Sequence, residues 1–383
     1  MTRATAADDA RGGKSSMIIA NLDCEVIWAG GAPLPAAVAS RLALFATTLR
    51  AFSRDDADTL WLPAPVHARW RPPGDTGPSP HLVWGPPPPP PETETETETE
   101  TETGLGPGTI RWADDPRIST PALAAISRTV NDRRFAFTLA TSLGVALPGT
   151  RVITTVDDLA SHLAAGGASA SPTGAWVAKA AWTAAGRDRV RRVGDTLDDA
   201  TRTRAARLLA VHGALLFEPW MTRTHDVGQP GHVAATGDIT LLPPHRGLVD
   251  DGGVIRGIAV DHDGTVAALE PADRTRLAET ARAVGRALAS AGYAGPFVID
   301  AFVHEHGGRR TLHPLCELNA RLTFGLVARA WADRRGAPLT LGLGGALPDG
   351  ATPLVLDEQG APVAWVAEAP TGPKGSNRGN SPR

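Results

Sequence analysis

The sequence predicts an α/β chain in three parts, an N-terminal α/β lobe followed by two α+β lobes. Three observations predict it. Short apolar runs alternate with segments of helical periodicity from residue 17 onward. A low-complexity run interrupts the first part between residues 86 and 103. A long hairpin of strongly apolar strands, residues 296–322, carries carboxylates on one face.

At 383 residues the chain is too long for one simple core, and 42% hydrophobic with 21% charged residues is the balance of a globular protein. The net charge of -3 offers no general attraction to nucleic acid. The run "RDRVRR" (187–192) is locally basic, but no aromatic ladder accompanies it, and it reads as a solvated hairpin. No stretch approaches the roughly 18 apolar residues that cross a membrane. "MIIA" is too short for a signal peptide. Two cysteines, Cys24 and Cys316, make neither a disulfide scaffold nor a zinc site, which fits a reducing cytoplasm.

Residues 1–16 are small and polar and read as disordered. Their "GGKS" (12–15) is not a P-loop: Asp8 stands where the first glycine belongs, and no strand precedes it. "MIIANLDCEVIWAG" (17–30) reads as one or two strands, 34–52 as a helix, and 59–66 and 81–85 as short strands. Six prolines and six Glu-Thr repeats (86–103) have no core to bury and read as a solvated insert. Residues 120–144 read as one or two helices ending at Gly144, and 150–167 as strand, Asp cap, helix and glycine stop. Strands at 175–181 and 189–193, a helix at 199–213 and a strand at 214–221 follow. Further strands lie near 231–242 and 254–260, then a long amphipathic helix at 271–292. The last 15 residues read as a disordered tail.

The chain contains three lysines, Lys14, Lys179 and Lys374, and two of them lie in the expected tails. Lys179 therefore stands out in a chain that otherwise uses arginine. Its ammonium is a compact charge on a flexible stem, able to reach an oxyanion without a flat bidentate partner.

Strand side chains alternate faces, so in the hairpin Asp300 shares a face with Val298 and Phe302 while Ile299, Ala301 and Val303 point the other way. Glu317 and Asn319 share a face opposite Cys316 and Leu318. A two-residue turn at Gly307-Gly308 pairs 300 with 315 and leaves Glu317 one diagonal step from Asp300; a longer turn sets them directly opposite. Either register gathers Asp300, Glu317 and Asn319. Two carboxylates among apolar neighbours call for a positive charge between them. An all-oxygen donor set suits a hard cation, Mg²⁺, whose shell is commonly completed by phosphate and water. His304, His306 and His313 lack zinc spacing and read as surface residues. His245-Arg246 falls in a proline-bent loop, and Trp182 either lines an entrance or packs.

In this order the motifs resemble the ATP-grasp superfamily over about 120–330. "ELNAR" (317–321) resembles its Glu-x-Asn-x-Arg metal and phosphate motif, and Asp300 matches the preceding acidic ligand. "WVAK" (176–179) resembles the strand whose lysine meets nucleotide phosphates and the adenine edge, and "TAAGRDR", with Gly186, the loop that closes over them. "LLFEPWM" (215–221) resembles the linker strand, so Glu218 and the backbone near Trp220 are expected to bind adenine. Asp226 stands near the ribose-binding acid. Asp132-Arg133 replaces the family's usual Asp-Lys pair.

The resemblance implies an N-terminal lobe (17–115), a small lid lobe (116–220) and a large lobe (221–368), the last two sandwiching ATP. It implies an ATP- and Mg²⁺-dependent ligase that joins a carboxylate to an amine through an acyl phosphate. Mg²⁺, Lys179, Arg133 and Arg321 would carry the charge. A phosphotransferase on the same fold and a nucleotide-binding module without turnover are the alternatives. Substrates are not legible, because fold does not specify them.

Overall fold

The computed structural model describes residues 15–31, 34–89, 109–183, 188–306 and 308–368. The expected tail 369–383, most of the insert and most of the leader lie outside the described residues. Ser16 does not belong to a loose leader. It is buried, its N–H donates to Asp58 Oδ1 at 2.6 Å, and its carbonyl accepts from Thr59.

The first elements are β1 (Met17–Ile19), α1 (Cys24–Trp28), α2 (Ala36–Ala46), β2 (Thr59–Leu62), β3 (His81–Trp84) and β4 (Thr109–Arg111). Then come α3 (Pro121–Val130), α4 (Arg133–Ser142), β5 (Arg151–Ile153), α5 (Val156–Ala164), β6 (Ala175–Ala180), β7 (Arg189–Val193), α6 (Asp199–His212) and β8 (Leu215–Pro219). Next are β9 (Arg223–Val233), β10 (Ile239–Leu241), β11 (His245–Val249), β12 (Ile255–Val260), α7 (Pro271–Ser290), β13 (Gly295–His306) and β14 (Arg309–Asn319). The chain closes with α8 (Phe324–Arg335), β15 (Leu339–Leu343), β16 (Thr352–Leu356) and β17 (Pro362–Glu368).

Two local readings change. Residues 24–28 form α1, not a second strand. The Asn21 side chain donates to the Ala113 carbonyl at 2.9 Å and to Asp115 at 2.8 Å, stopping β1, and burial of Cys24 and Trp28 favours the helical turn over the segment's strand propensity. The cap of α5 is Thr155, whose hydroxyl accepts from the Asp158 N–H at 3.0 Å, rather than an aspartate.

Among the described residues the strands form three sheets: a parallel one ordered β3-β2-β1-β4, an antiparallel one ordered β5-β8-β6-β7, and a nine-stranded one running from β14 through β13, β9, β11, β12, β15 and β17 to β16, with β10 beside β9. The large sheet has two different faces. On one, Leu277, Val284 and Leu288 of α7 pack with Phe297, Ile299, Ala301 and Val303 of β13. On the other, Val298, Ile258 and Leu341 join a core with Val327 of α8, while Asp300, Glu317 and Asn319 line a cavity. This is the alternation read from the hairpin. The parallel sheet shares one core with the C-terminal elements, in which Leu49 and Leu60 join Val327, Trp331 and Leu354. Arg50 is wholly buried there, between the Trp70 and Trp331 rings at 5.2 Å from each, and is neutralised by Asp75 at 2.5 Å. No helix among the described residues is long and apolar enough to cross a membrane.

Candidate functional site

The β13–β14 hairpin begins in the register that a two-residue turn sets, with His306 opposite Arg309 and Phe302 opposite His313. The register then shifts, and Asp300 stands opposite Glu317. Pro314 lies in the shifted segment. It has no N–H to give to the ladder, so a bulge forms there. The bulge, not a longer turn, brings the carboxylates face to face. It also turns Cys316 toward the same cavity as Glu317, against the strict alternation expected of it.

The row continues across the sheet: Asp300 pairs with Gly228 on β9, and Gly228 with His245 on β11. Gly228 leaves the face open between the two side chains. A Cβ there would lie 2.2 Å from His245 Nε2, and one at Gly325 would lie 2.3 Å from the ring's Cε1. His245 is thus wedged between two glycines. It lies on a strand, not in a loop; its backbone pairs with β9, and the prolines end before the strand starts. It is 5% exposed, and burial, aided by the Arg329 charge, lowers its pKa to about 3, so the ring is neutral.

This face floors a cleft of about 530 Å³. Arg133, Lys179, Trp220, Asp226, Asp300, Glu317, Asn319 and Arg321 all line it. Gly186 lies outside the described residues. Lys179 on β6 and Glu218 on β8 are diagonal neighbours on one sheet face and form an ion pair; both are nearly buried. Burial opposes the charge on Lys179 most strongly, but Glu218, Cys316 and Glu317 together outweigh it and the pKa is raised. Arg133 opens α4, whose cap is Asp132. Its Nη2 donates to Glu317 Oε1 at 2.8 Å, and its Nη1 to the Ala180 carbonyl at 2.7 Å and Thr183 Oγ1 at 2.8 Å. Trp220 has the Arg191 guanidinium 3.9 Å from its ring centroid. Asp226 accepts from Arg223 at 2.9 Å.

The two facing carboxylates differ. Burial and the Glu317 charge push Asp300 up to about 7, although Arg321 lies near. For Glu317, burial acts upward, but Arg133, Lys179 and Arg321 outweigh it and the pKa is lowered. Asn319 Nδ2 donates to Asp300 Oδ2 at 2.9 Å, and Arg321 Nη2 donates to Asn319 Oδ1 at 2.9 Å. Arg321 also pairs with Glu25 of α1 at 2.7 Å. Glu25 was not among the sequence candidates; the acid hidden in "DCEV" is placed by the helical turn that replaces the expected strand. Arg133 Nε, Arg223 Nε, His245 Nδ1 and Thr323 Oγ1 are buried without a hydrogen-bond partner among the described residues. The cleft wall therefore offers unpaired polar atoms beside a cationic rim.

The donor set of Asp300, Glu317 and Asn319 fits a hard divalent cation. All its ligating atoms are oxygens, and burial followed by the facing Glu317 charge raises the Asp300 pKa, a strain that a cation between them would relieve.

Other histidine readings change. His304 and His313 are 6% and 4% exposed, not surface residues, and flank the Phe302 ring at centroid distances of 5.7 and 5.0 Å. The apolar strands bury whatever alternates with them. Burial lowers the His313 pKa to about 4. Trp182 packs: its indole donates to the Arg128 carbonyl at 2.9 Å under that residue's guanidinium.

No protein-family model matches the sequence, and no curated protein is similar to it in sequence. Solved structures are similar in fold. N5-carboxyaminoimidazole synthetase from Staphylococcus aureus, complexed with ADP, superposes with a TM-score of 0.52 at 8% identity, over 94% of each chain. Biotin carboxylase from Campylobacter jejuni, in a β,γ-ATP complex, gives 0.52 at 10% identity, over 93% of this chain and 87% of that one. Phosphoribosylamine–glycine ligase from Thermotoga maritima gives 0.51 at 12% identity, over 93% of each. The likeness spans nearly the whole chain and shows that it shares the fold of these structures.

Proposed function

We propose that this chain is an ATP- and Mg²⁺-dependent ligase that joins a carboxylate to an amine or similar nucleophile. The observation that carries the reading is the facing pair Asp300 and Glu317 on the cleft floor, ringed by Lys179, Arg133 and Arg321. In this reading residues 17–115 form the N-terminal lobe, and 116–220 and 221–368 the two lobes that hold the nucleotide. Glu218 and the backbone at Trp220 take the adenine edge, Asp226 the ribose, and Gly186 belongs to the loop over the phosphates. Free Cys24 and Cys316 suit a reducing cytoplasm. ADP and ATP analogue complexes of the similar structures support the nucleotide assignment.

Asp300, Glu317 and Asn319 would hold Mg²⁺, which neutralises phosphate charge when bound. Lys179 and Arg133 draw charge from the phosphoryl group, and Arg321, braced by Glu25, orients the acceptor carboxylate. A carboxylate oxygen bonds to the γ-phosphorus as the bond to the ADP oxygen breaks, giving an acyl phosphate and ADP. The amine then bonds to the acyl carbon, the carbon–oxygen bond to phosphate breaks, and phosphate and a proton leave.

The test is a coupled ADP-release assay with pooled carboxylates and amines. ADP release that requires Mg²⁺ and both pools, with a condensed product by mass, supports ligation. A stable phosphorylated product indicates phosphoryl transfer, and no ADP release contradicts enzymatic turnover.

A further inference from the structure

The cleft extends past Arg321 to a wall built by the N-terminal part and α8. Its lining is apolar: Leu22, Leu42, Phe45, Trp112, Phe324 and Leu343. The Phe324 ring stands 6.1 Å from Phe45, edge-on, and 5.2 Å from Trp112. Leu42, Phe45 and Phe324 are only partly buried and complete one surface of the same cavity. Beyond Arg321, the cation lining this end among the described residues is Arg41, exposed at the rim with its guanidinium 5.4 Å from the Phe45 ring. The Gly344 N–H, close by, is already given to the Val363 carbonyl at 2.7 Å. Thr323 Oγ1, buried without a hydrogen-bond partner among the described residues, is a further side-chain donor here; with Arg41 it stands against six apolar side chains, fewer donors than converge on a phosphate monoester. Hydrocarbon and aromatic faces instead reward burial of apolar surface.

Resting on the ligase reading above, we infer that the acid substrate carries a bulky apolar side group, aromatic or branched aliphatic, and no phosphate. The side group lies on Leu42, Phe45 and Phe324, and the reacting carboxylate reaches toward Arg321. The large aromatic side chains, not a basic cluster, select the substrate.

The experiment is calorimetric titration of the full chain, first with ADP and Mg²⁺, then at saturating ADP with L-phenylalanine, L-leucine, glycine and ribose 5-phosphate as probes. Phenylalanine and leucine are expected to bind at least about tenfold more tightly than glycine, with ribose 5-phosphate weaker still. Phe45→Ala should erase the preference for phenylalanine over glycine while ADP affinity stays within about twofold. Leu42→Ser, a smaller change at a partly exposed helix position, should weaken phenylalanine binding at least about threefold and serves where Phe45→Ala fails to fold. If ADP binds but glycine or ribose 5-phosphate binds as well as phenylalanine, the inference is overturned and the nucleotide reading stands. If ADP itself does not bind, the nucleotide reading falls.

Discussion

Asp300 and Glu317 are direct cross-strand partners because a bulge at Pro314 slips the hairpin register between Phe302 and Asp300. Without a cation between them the two charges repel. Glu317→Gln keeps volume and an acceptor for Arg133, which also retains the Ala180 carbonyl and Thr183. In the ligand-free protein Arg133, Lys179 and Arg321 still favour the Glu317 charge, so the melting temperature is expected to fall modestly, with Mg²⁺-dependent ADP release reduced at least about a hundredfold. A lower melting temperature with unchanged ADP release would mark Glu317 as a structural partner of Arg133 only.

Lys179 is nearly buried against Glu218, so its loss is felt by the fold as well as by a nucleotide. Lys179→Ala leaves a buried carboxylate unpaired and should destabilise by about 3 kcal/mol. Lys179→Met with Glu218→Gln removes both charges and should recover most of that loss. Denaturant midpoints of the single and double variants check this; a single variant as stable as the wild type contradicts the pairing.

Burial holds His245 and His313 neutral, with pKa values near 3 and 4 against an ordinary 6.5. Between pH 6.5 and 4 the unfolded chain binds protons that the native chain refuses, so stability rises with pH across this window and is lost on acidification. Asp300, raised to about 7, takes up a proton in the native chain over the same window and offsets about one histidine, so the melting temperature should fall from pH 6.5 to 4.5 with the slope of about one net proton. His313→Gln should flatten that slope, and an unchanged slope would contradict the burial.

The hairpin faces were legible because period-two alternation among strong apolar residues leaves one side for Asp300, Glu317 and Asn319. Lys179 was legible because the chain scarcely uses lysine. Less local facts were not. "PPHRG" signals a loop by its prolines, yet pairing to β9 and β12 makes His245 a strand residue. "CEVIW" favours a strand by composition, yet Asn21 and the buried Trp28 turn it into α1 and send Glu25 to Arg321. The bulge follows from Pro314, but its two-residue slip depends on the partner strand.

Gly228 is required by His245. Gly228→Ala sets a Cβ 2.2 Å from Nε2, and Gly325 blocks the ring's retreat. The variant should lose about 2 kcal/mol or more, and adding His245→Ala should restore part of the loss. Equal melting temperatures for wild type and Gly228→Ala would contradict the wedge.

The central claim is that a nucleotide binds between Lys179 and the Asp300–Glu317 pair. Calorimetric titration of ADP, with and without Mg²⁺, into the wild type and into the Lys179→Met, Glu218→Gln double variant tests it most directly. Binding to the wild type is expected and is strengthened by Mg²⁺, with affinity at least about tenfold weaker in a double variant that melts like the wild type. Absence of ADP binding to the wild type, or equal affinity in both proteins, would contradict it.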